Sequence, residues 1–115
     1  MRVDYQRKDK TWSYLHYNCF SVGSAGEKYL LTVGGFTGVG TDDFAFHNKM
    51  YFSTPDNDND KWVNNCAAAN EYKIGWWYYA CDAINLNKQP IEIEGASKDK
   101  VYSEMKIRPK DCIIQ

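Results

Sequence analysis

The sequence lacks the signals of membrane-spanning and nucleic-acid-binding proteins. It contains no apolar run near the ~20 residues that a membrane helix needs, so we expect no membrane insertion. Its formal net charge is -1, and lysine and arginine form no stripe among the aromatic residues, so we expect no nucleic acid as a partner. Residues 1–5 form neither a signal peptide nor a targeting helix. We expect any secretion signal to have been removed or to lie outside these residues.

Sequence motifs for catalysis are absent as well. The chain has no nucleophile elbow, P-loop, dinucleotide-binding fingerprint or HExxH motif. Residues 34–40 are rich in glycine, but no Lys-Ser/Thr pair follows them, so we predict a turn between strands. His16 lies in a strand pattern, and the adjacent Asp42 and Asp43 are expected to point apart rather than cooperate. We therefore predict that the protein is not an enzyme.

Cysteine is scarce but even in number. Its positions are Cys19, Cys66, Cys81 and Cys112. They include no C-x-x-C pair, which disfavours a zinc site or a thioredoxin-type motif. Paired disulfides fit this pattern better, and disulfides persist in oxidising compartments. We therefore expect a secreted or extracellular protein.

Aromatic residues are abundant, at 16% of the 115 residues, and the length fits one domain over residues 1–115. Alternation of polar with aromatic or apolar residues predicts a strand at residues 11–17, and we place further strands at residues 29–33, 50–54, 91–95 and 104–109. The predicted fold class is α+β, mainly antiparallel sheet with short helices and a long irregular loop region. The strand-rich parts are then 1–54 and 91–110, and the irregular part is 55–90.

The irregular part begins with an acidic run, since residues 56–60 read Asp-Asn-Asp-Asn-Asp. Calcium prefers about six to eight oxygen ligands from carboxylates, amides and carbonyls, which such a run supplies on a short span. An EF-hand does not fit, because the sixth position from Asp56 is Lys61 rather than glycine. A solvated acidic turn is the alternative, because Asp and Asn favour turns.

The acidic run belongs to a larger set of motifs that resembles one known family. These motifs are residues 52–60, 65–67, 75–78, 81 and 85–87. They resemble the C-terminal half of a fibrinogen-related domain, the family that includes the fibrinogen globes, ficolins and tachylectins. The flanking segments resemble the same family, namely residues 2–4, 20–23, 28–36, 47–50 and 104–109. The resemblance therefore covers nearly the whole chain.

The resemblance implies a calcium site in the acidic run. In the family the ion is held by two aspartate side chains and two backbone carbonyls, which match Asp58 and Asp60 for the carboxylates and Trp62 and Asn64 for the carbonyls. Asp56 matches a position that is not a ligand.

The resemblance also implies a disulfide between Cys66 and Cys81. Cys19 and Cys112 have no counterpart in the common pattern of the family. They either pair with each other or bridge to another chain.

Lectin-type members of the family bind acetyl groups of N-acetylated sugars beside the calcium. The resemblance implies a ligand surface on the outer face of the calcium loop, formed by Tyr72, Tyr78, Tyr79, Ala80, Cys81 and Asp82. The Ala80–Cys81 peptide would bind the acetyl carbonyl. Asp82 departs from the family, since many acetyl binders carry histidine there.

Two functions follow from the resemblance. The first is calcium-dependent, lectin-like recognition of glycans or acetylated ligands, as in fibrinogen-related lectins of innate immunity. The second is a structural or adhesive protein–protein assembly module that uses the sheet edge and the extra cysteines, Cys19 and Cys112. The N-terminal half of the family domain, with a central strand, has no match here, so an open sheet edge could join a partner chain or a second copy.

Overall fold

The framework of the molecule is a four-stranded antiparallel sheet with the strand order β3-β2-β1-β4. The computed structural model describes residues 1–69, 73–88, 90–94, 99–109 and 112. The strands are β1 (Arg2–Arg7), β2 (Trp12–Val22), β3 (Leu31–Gly38) and β4 (Lys100–Lys106). Two 3₁₀ helices, Ala25–Glu27 and Asp43–His47, and one short helix, α1 (Cys66–Ala69), complete the regular structure. The predicted α+β, mainly antiparallel fold class is confirmed. Among these residues no helix is long and apolar enough to cross a membrane.

Side-chain alternation explains why β1 and β2 form the centre of the sheet. Val3 and Tyr5 of β1, and Leu15 and Tyr17 of β2, are buried on the inner face. Residues between them point to the outer face, as a pleated strand requires. There Trp12 of β2 meets Tyr102 of β4 edge-to-face, with ring centroids 5.9 Å apart.

Two of the predicted strand boundaries are wrong for local reasons. The predicted strand at 29–33 starts later and continues through both glycines to Gly38, because Gly35 adopts φ +69° and a Cβ there would lie 2.8 Å from Asn18 Cβ. The strand predicted at 104–109 lies earlier as β4, since the chain leaves the sheet before Pro109, which has no N–H to donate.

The segments 50–54 and 91–95 were also predicted as strands, but they do not form regular strands. Residues 50–54 contribute only isolated bridges, such as the one between Ser53 and Trp76. In the segment 91–95 Glu92 bridges to Asn85, and Gly95 lies outside the described residues. These segments pack through turns and side chains rather than through sheet hydrogen bonds.

The core lies between the inner face of the sheet and the irregular chain that follows β3. Tyr17 from β2 contacts Phe44 at 5.4 Å between ring centroids, and Phe44 contacts Trp76 at 6.0 Å. Tyr78 and Ile84 are also fully buried here. Aromatic packing thus joins the irregular part to the sheet and contributes much of the buried apolar area.

Two disulfides fix the irregular part and the tail, so the predicted presence of disulfide bonds is confirmed. Cys66 is bonded to Cys81, with Cα atoms 5.2 Å apart, and Cys19 to Cys112, with Cα atoms 4.6 Å apart. No cysteine is free. The pairing of Cys19 and Cys112, which the sequence left open, is therefore within the chain.

Candidate functional site

The acidic run is anchored by an asparagine that the sequence analysis did not single out. The backbone N–H of Asn59 donates to Ser53 Oγ at 2.9 Å, and its side-chain amide donates to the carbonyl of Phe52 at 3.0 Å. Thr54 and Asn57 form an antiparallel bridge at the start of the run. Asp58, just before Asn59, is exposed, whereas Asp60, just after it, is half-buried like Asn59 itself.

Asp58 and Asp60 organise the acidic loop, defined here as residues 56–65. Asp58 Oδ1 accepts the N–H of Asp60 at 3.2 Å. Asp60 uses both carboxylate oxygens, accepting from Trp62 N–H at 2.9 Å and from Cys66 N–H at 2.8 Å. Asp60 therefore links the loop directly to the start of α1 and to the disulfide.

The pKa of Asp60 is raised, mainly because its carboxyl group is partly buried. Burial raises it most, the N–H donors of Cys66 and Trp62 lower it, and the side chain of Asp58 raises it again, for a net rise. The two carboxylates are thus close enough to repel each other, and a cation between them would relieve that repulsion.

The donor chemistry of the acidic loop fits calcium. Carboxylates and backbone carbonyls are hard oxygen ligands. No cluster of three or more His, Cys, Asp or Glu side chains suited to a metal occurs in the part of the chain that the structure describes. A site here would therefore need backbone carbonyls beside Asp58 and Asp60, and exposed Trp62 and Asn64 lie on the same short loop. Calcium binding remains a prediction.

Tyr78 does not belong to the ligand surface on which it was predicted to lie. It is 1% exposed, so it belongs to the core rather than to the outer face. Its hydroxyl donates to the carbonyl of Ile74 at 2.9 Å and accepts from the Asn85 side-chain amide at 3.3 Å. Burial, more than its neighbours, raises the pKa of Tyr78 to about 12, so the hydroxyl stays neutral. Tyr72 lies outside the described residues.

Asp82 is a second correction, because its side chain is only 6% exposed and serves an internal network. It accepts from the Asn85 amide at 3.0 Å and pairs with Lys88 at 3.4 Å. Lys88 also contacts Glu92 at 2.9 Å. Asp82 therefore makes internal contacts. The sequence analysis had instead placed it on the ligand surface.

Asp82 and Glu92 share one proton. Burial, followed by the neighbouring Asp82 carboxylate, raises the pKa of Glu92 to about 7. For Asp82, burial acts to raise the pKa, but hydrogen bonds from Glu92 and Asn85 outweigh it and lower the pKa. Below about pH 7 Asp82 is thus the charged member and Glu92 the protonated one, with Lys88 balancing the charge.

His47 positions the segment that follows Cys81. Its Nδ1 lies 2.8 Å from the carbonyl of Trp77, and its Nε2 accepts the N–H groups of Ala83 at 3.2 Å and Ile84 at 3.3 Å. Since amide N–H groups only donate, Nε2 carries no proton and Nδ1 donates. Burial lowers the pKa of His47, which keeps this ring neutral.

The adjacent carboxylates of Asp42 and Asp43 do not form a cooperating acid–base pair. Asp42 accepts from Ala45 N–H at 3.2 Å at the start of its 3₁₀ helix, whereas Asp43 is buried and accepts from Glu94 N–H. The adjacent carboxylates therefore serve separate structural contacts.

The exposed face of the site consists of a tight turn, residues 79–81, against the acidic loop. Tyr79 N–H donates to the carbonyl of Cys81 at 3.0 Å, and the Tyr79 carbonyl accepts Lys61 N–H at 2.9 Å. Cys81 has φ +73°, a conformation that costs a non-glycine residue energy and here is held by the disulfide. Tyr79 and Ala80 are exposed, and Phe46 stacks on Tyr79. The sequence analysis missed Phe46.

Comparison with known proteins gives consistent matches along the chain. The family model described as fibrinogen beta and gamma chains, C-terminal globular domain, matches residues 1–103. Fibrinogen-like protein A of Apostichopus parvimensis is 38% identical over 120 residues, covering 94% of this chain and 43% of that protein. Tenascin of Gallus gallus is 36% identical over 120 residues, covering 95% of this chain and 6% of tenascin.

Solved structures agree with these relatives. The fibrinogen-like globe domain of human ANGPTL6 matches with a TM-score of 0.70 and 35% identity, over 75% of this chain and 38% of that one. Lamprey fibrin D-dimer, complexed with the peptide Gly-His-Arg-Pro-amide, matches with a TM-score of 0.69 and 29% identity, over 75% of this chain and 31% of that one. The chain thus spans less than half the length of each protein it matches here.

Proposed function

The chain belongs to the fibrinogen-related family, whose domains are binding modules rather than enzymes, and from this premise we propose that it is a calcium-supported extracellular recognition module for glycans or acetylated groups. Its two disulfides favour an oxidising, extracellular setting. The observation that carries the proposal is the pair Asp58 and Asp60 in a loop that is joined to the turn 79–81 by the hydrogen bond from Lys61 N–H to the Tyr79 carbonyl.

Calcium would act as a structural ion in this proposal. The carboxylates of Asp58 and Asp60 and the carbonyls of Trp62 and Asn64 would hold it. The loop is coupled to the ligand face by the hydrogen bond from Lys61 N–H to the Tyr79 carbonyl, at 2.9 Å. An ordered loop would therefore fix the turn where Ala80 and Cys81 present their peptide to a ligand, and Tyr72 would complete the surface.

Thermal unfolding with calcium and with chelator tests the metal site. A ligand present at ~100 times its dissociation constant stabilises the folded state by ~2.7 kcal/mol, which raises the melting temperature by several degrees. We expect this rise in the wild type and its loss in Asp58→Asn. That variant keeps an oxygen to accept the Asp60 N–H but removes one charge.

Asp56→Asn is the matched control, since Asp56 lies in the same run but accepts from the Thr54 hydroxyl at 2.7 Å. It should keep the calcium response. A wild type whose melting temperature ignores calcium would refute the metal site. Binding to immobilised glycans, measured with calcium and then with chelator, tests the recognition that the site supports.

Assembly through a sheet edge is the second candidate function. Among the described strands β4 pairs only with β1, and Val101 and Tyr102 on it are about half exposed, at 52% and 47%. An unpaired edge of this kind favours strand addition by a partner or a second copy. Concentration-dependent dimers in sedimentation, abolished by Val101→Lys and unaffected by chelator, would favour this function. A strictly monomeric chain would count against self-assembly.

A further inference from the structure

We propose that Tyr79, backed by the stacked ring of Phe46, forms an aromatic platform on which the ring of a neutral sugar stacks. The two rings are stacked on each other, with centroids 5.1 Å apart and planes inclined by 28°. Both remain accessible, Phe46 at 39% and Tyr79 at 42%. The assignment rests on the proposed glycan recognition and adds a ligand subsite beyond the acetyl-binding peptide at Ala80–Cys81.

The backbone beneath each ring is fixed before any ligand arrives. Tyr79 lies in the turn 79–81, which is closed by its own hydrogen bond to Cys81 and by the disulfide to Cys66. Phe46 belongs to the 3₁₀ helix Asp43–His47, and its ring lies edge-on to the buried His47 ring at 5.2 Å. Because these groups are already ordered, binding on them loses little conformational entropy.

The exposure of these two rings contrasts with their neighbours. Phe44, Trp76, Trp77 and Tyr78, in the same two segments, are all buried in the core. A single exposed aromatic side chain on a protein surface needs no explanation. Here the Phe46 ring covers one face of Tyr79, and the exposed remainder of the Tyr79 ring offers a flat apolar surface, the kind on which aromatic residues bind ligands.

The surroundings of the platform determine the class of ligand. The faces of aromatic rings are electron-rich and attract the weakly positive C–H bonds on one face of a sugar ring. The acidic loop is joined to the turn 79–81 by the hydrogen bond from Lys61 N–H to the Tyr79 carbonyl. With calcium held by Asp58 and Asp60, the ion and Lys61 balance the negative charge of the loop, so it offers no surplus positive charge to a sulfated or carboxylated sugar. A neutral hexose or hexosamine derivative is therefore the best fit.

Binding to a glycan array tests the platform. The probes are lactose and N-acetyllactosamine, each with matched sialylated and sulfated derivatives, in the presence of calcium. We expect the wild type to bind the neutral forms more tightly than the charged ones. Phe46→Ala and Tyr79→Ala should each weaken binding about tenfold, the loss typical of an anchoring aromatic residue. Tyr79→Phe keeps the ring and should recover most of the binding lost in Tyr79→Ala.

Trp12→Ala is the matched control. Trp12 forms the other exposed aromatic pair, with Tyr102, on the outer face of the sheet. Removing its ring should leave glycan binding unchanged, and melting temperatures of all variants show whether they fold. If the wild type binds neutral glycans and both platform variants bind equally well, the platform is refuted while the proposed function stands. If the wild type binds only charged glycans or basic peptides, the platform assignment is refuted. If the wild type binds no glycan at all, both the platform and the proposed function are refuted.

Discussion

Glu92 and Asp82 make the stability of the molecule depend on pH through a single shared proton. The pKa of Glu92 is raised to about 7 by burial and by Asp82, above its ordinary value near 4.5. A carboxyl group whose pKa is higher in the folded state adds stability below its unfolded pKa. That stability is lost as pH rises through the folded pKa. The contribution of Glu92 should therefore decline between about pH 4.5 and pH 7.

Replacing Glu92 by glutamine tests this shared proton. The glutamine amide donates a hydrogen bond to Asp82 as the protonated carboxyl does, but it does not titrate. We expect Glu92→Gln to have the same free energy of unfolding as the wild type near pH 5. Above pH 7 its free energy of unfolding should exceed that of the wild type by on the order of 2 kcal/mol. Urea unfolding from pH 5 to 9 measures the difference. Glu104→Gln, on the exposed side of β4, is the control, and an equal pH effect there would contradict the assignment.

Single residues also show where prediction from the sequence stopped. The family resemblance predicted Asp58 and Asp60 as a pair, whereas the alternating aspartates alone left a calcium loop and a solvated turn both open. Tyr78 and Asp82 were assigned to the wrong side, because residues 76–78 are all buried in succession and follow neither a strand nor a helix period. Without a period, the direction of a side chain cannot be read from its position. Asn59 and Asn85, as polar residues, gave no signal of their inward hydrogen bonds.

Glycine decides the length of β3. Gly35 has φ +69°, and a Cβ on it would lie 2.8 Å from the Cβ of Asn18 on β2. Gly35→Ala should therefore destabilise the sheet by about 1–3 kcal/mol, from backbone strain and from the clash. Gly26→Ala is the control, because its Cβ would meet only Ser24 Oγ at 3.8 Å. Chemical denaturation of both variants measures the difference, and equal stabilities would show that the two strands can separate without cost.

The elements were predictable in proportion to their periodicity. β2 was found within residues 11–17 because polar and apolar residues alternate there, and it continues to Val22 in the structure. β3 was shortened because glycine normally ends a strand pattern. Here the glycines let β3 approach β2, a tertiary effect that local sequence does not reveal. The strand predicted at 50–54 had the right residue types, but its partner is the irregular chain around Trp76.

At the scale of the whole molecule, the two disulfides close loops of very different size. Cys19 and Cys112 are separated by 93 residues, and Cys66 and Cys81 by 15. In the chain-entropy model these loops contribute about 4–5 and about 3 kcal/mol to the free energy of unfolding. We expect Cys19→Ala/Cys112→Ala to lose more global stability in non-reducing denaturation.

Cys66→Ala/Cys81→Ala is the comparison variant for the two loops. It should lose less global stability but should also lose the calcium-dependent rise in melting temperature, because its bond lies between the acidic loop and the turn 79–81. If the two double variants showed equal calcium responses, the Cys66–Cys81 bond would not be the one that supports the calcium site.

The family was predictable from the whole chain because its motifs occur in order from residue 2 to residue 109. The fold class followed from that resemblance and from strand alternation. The pairing of Cys19 with Cys112 could not be predicted from the sequence. It depends on how close Cys112, which follows β4 in the chain, lies to Cys19 on β2, and β1 separates these two strands in the sheet.

The irregular segment after β3 has a consequence for how the protein can change over evolution. Its turns are held one at a time by side chains such as His47, Asn59 and Asn85, whereas the sheet is held by continuous ladders of backbone bonds. A substitution at the tip of one turn, such as Ala80 or Tyr79, disturbs few of these side-chain bonds. The proposed binding face can therefore acquire new sequences while the sheet that keeps the domain folded is left intact.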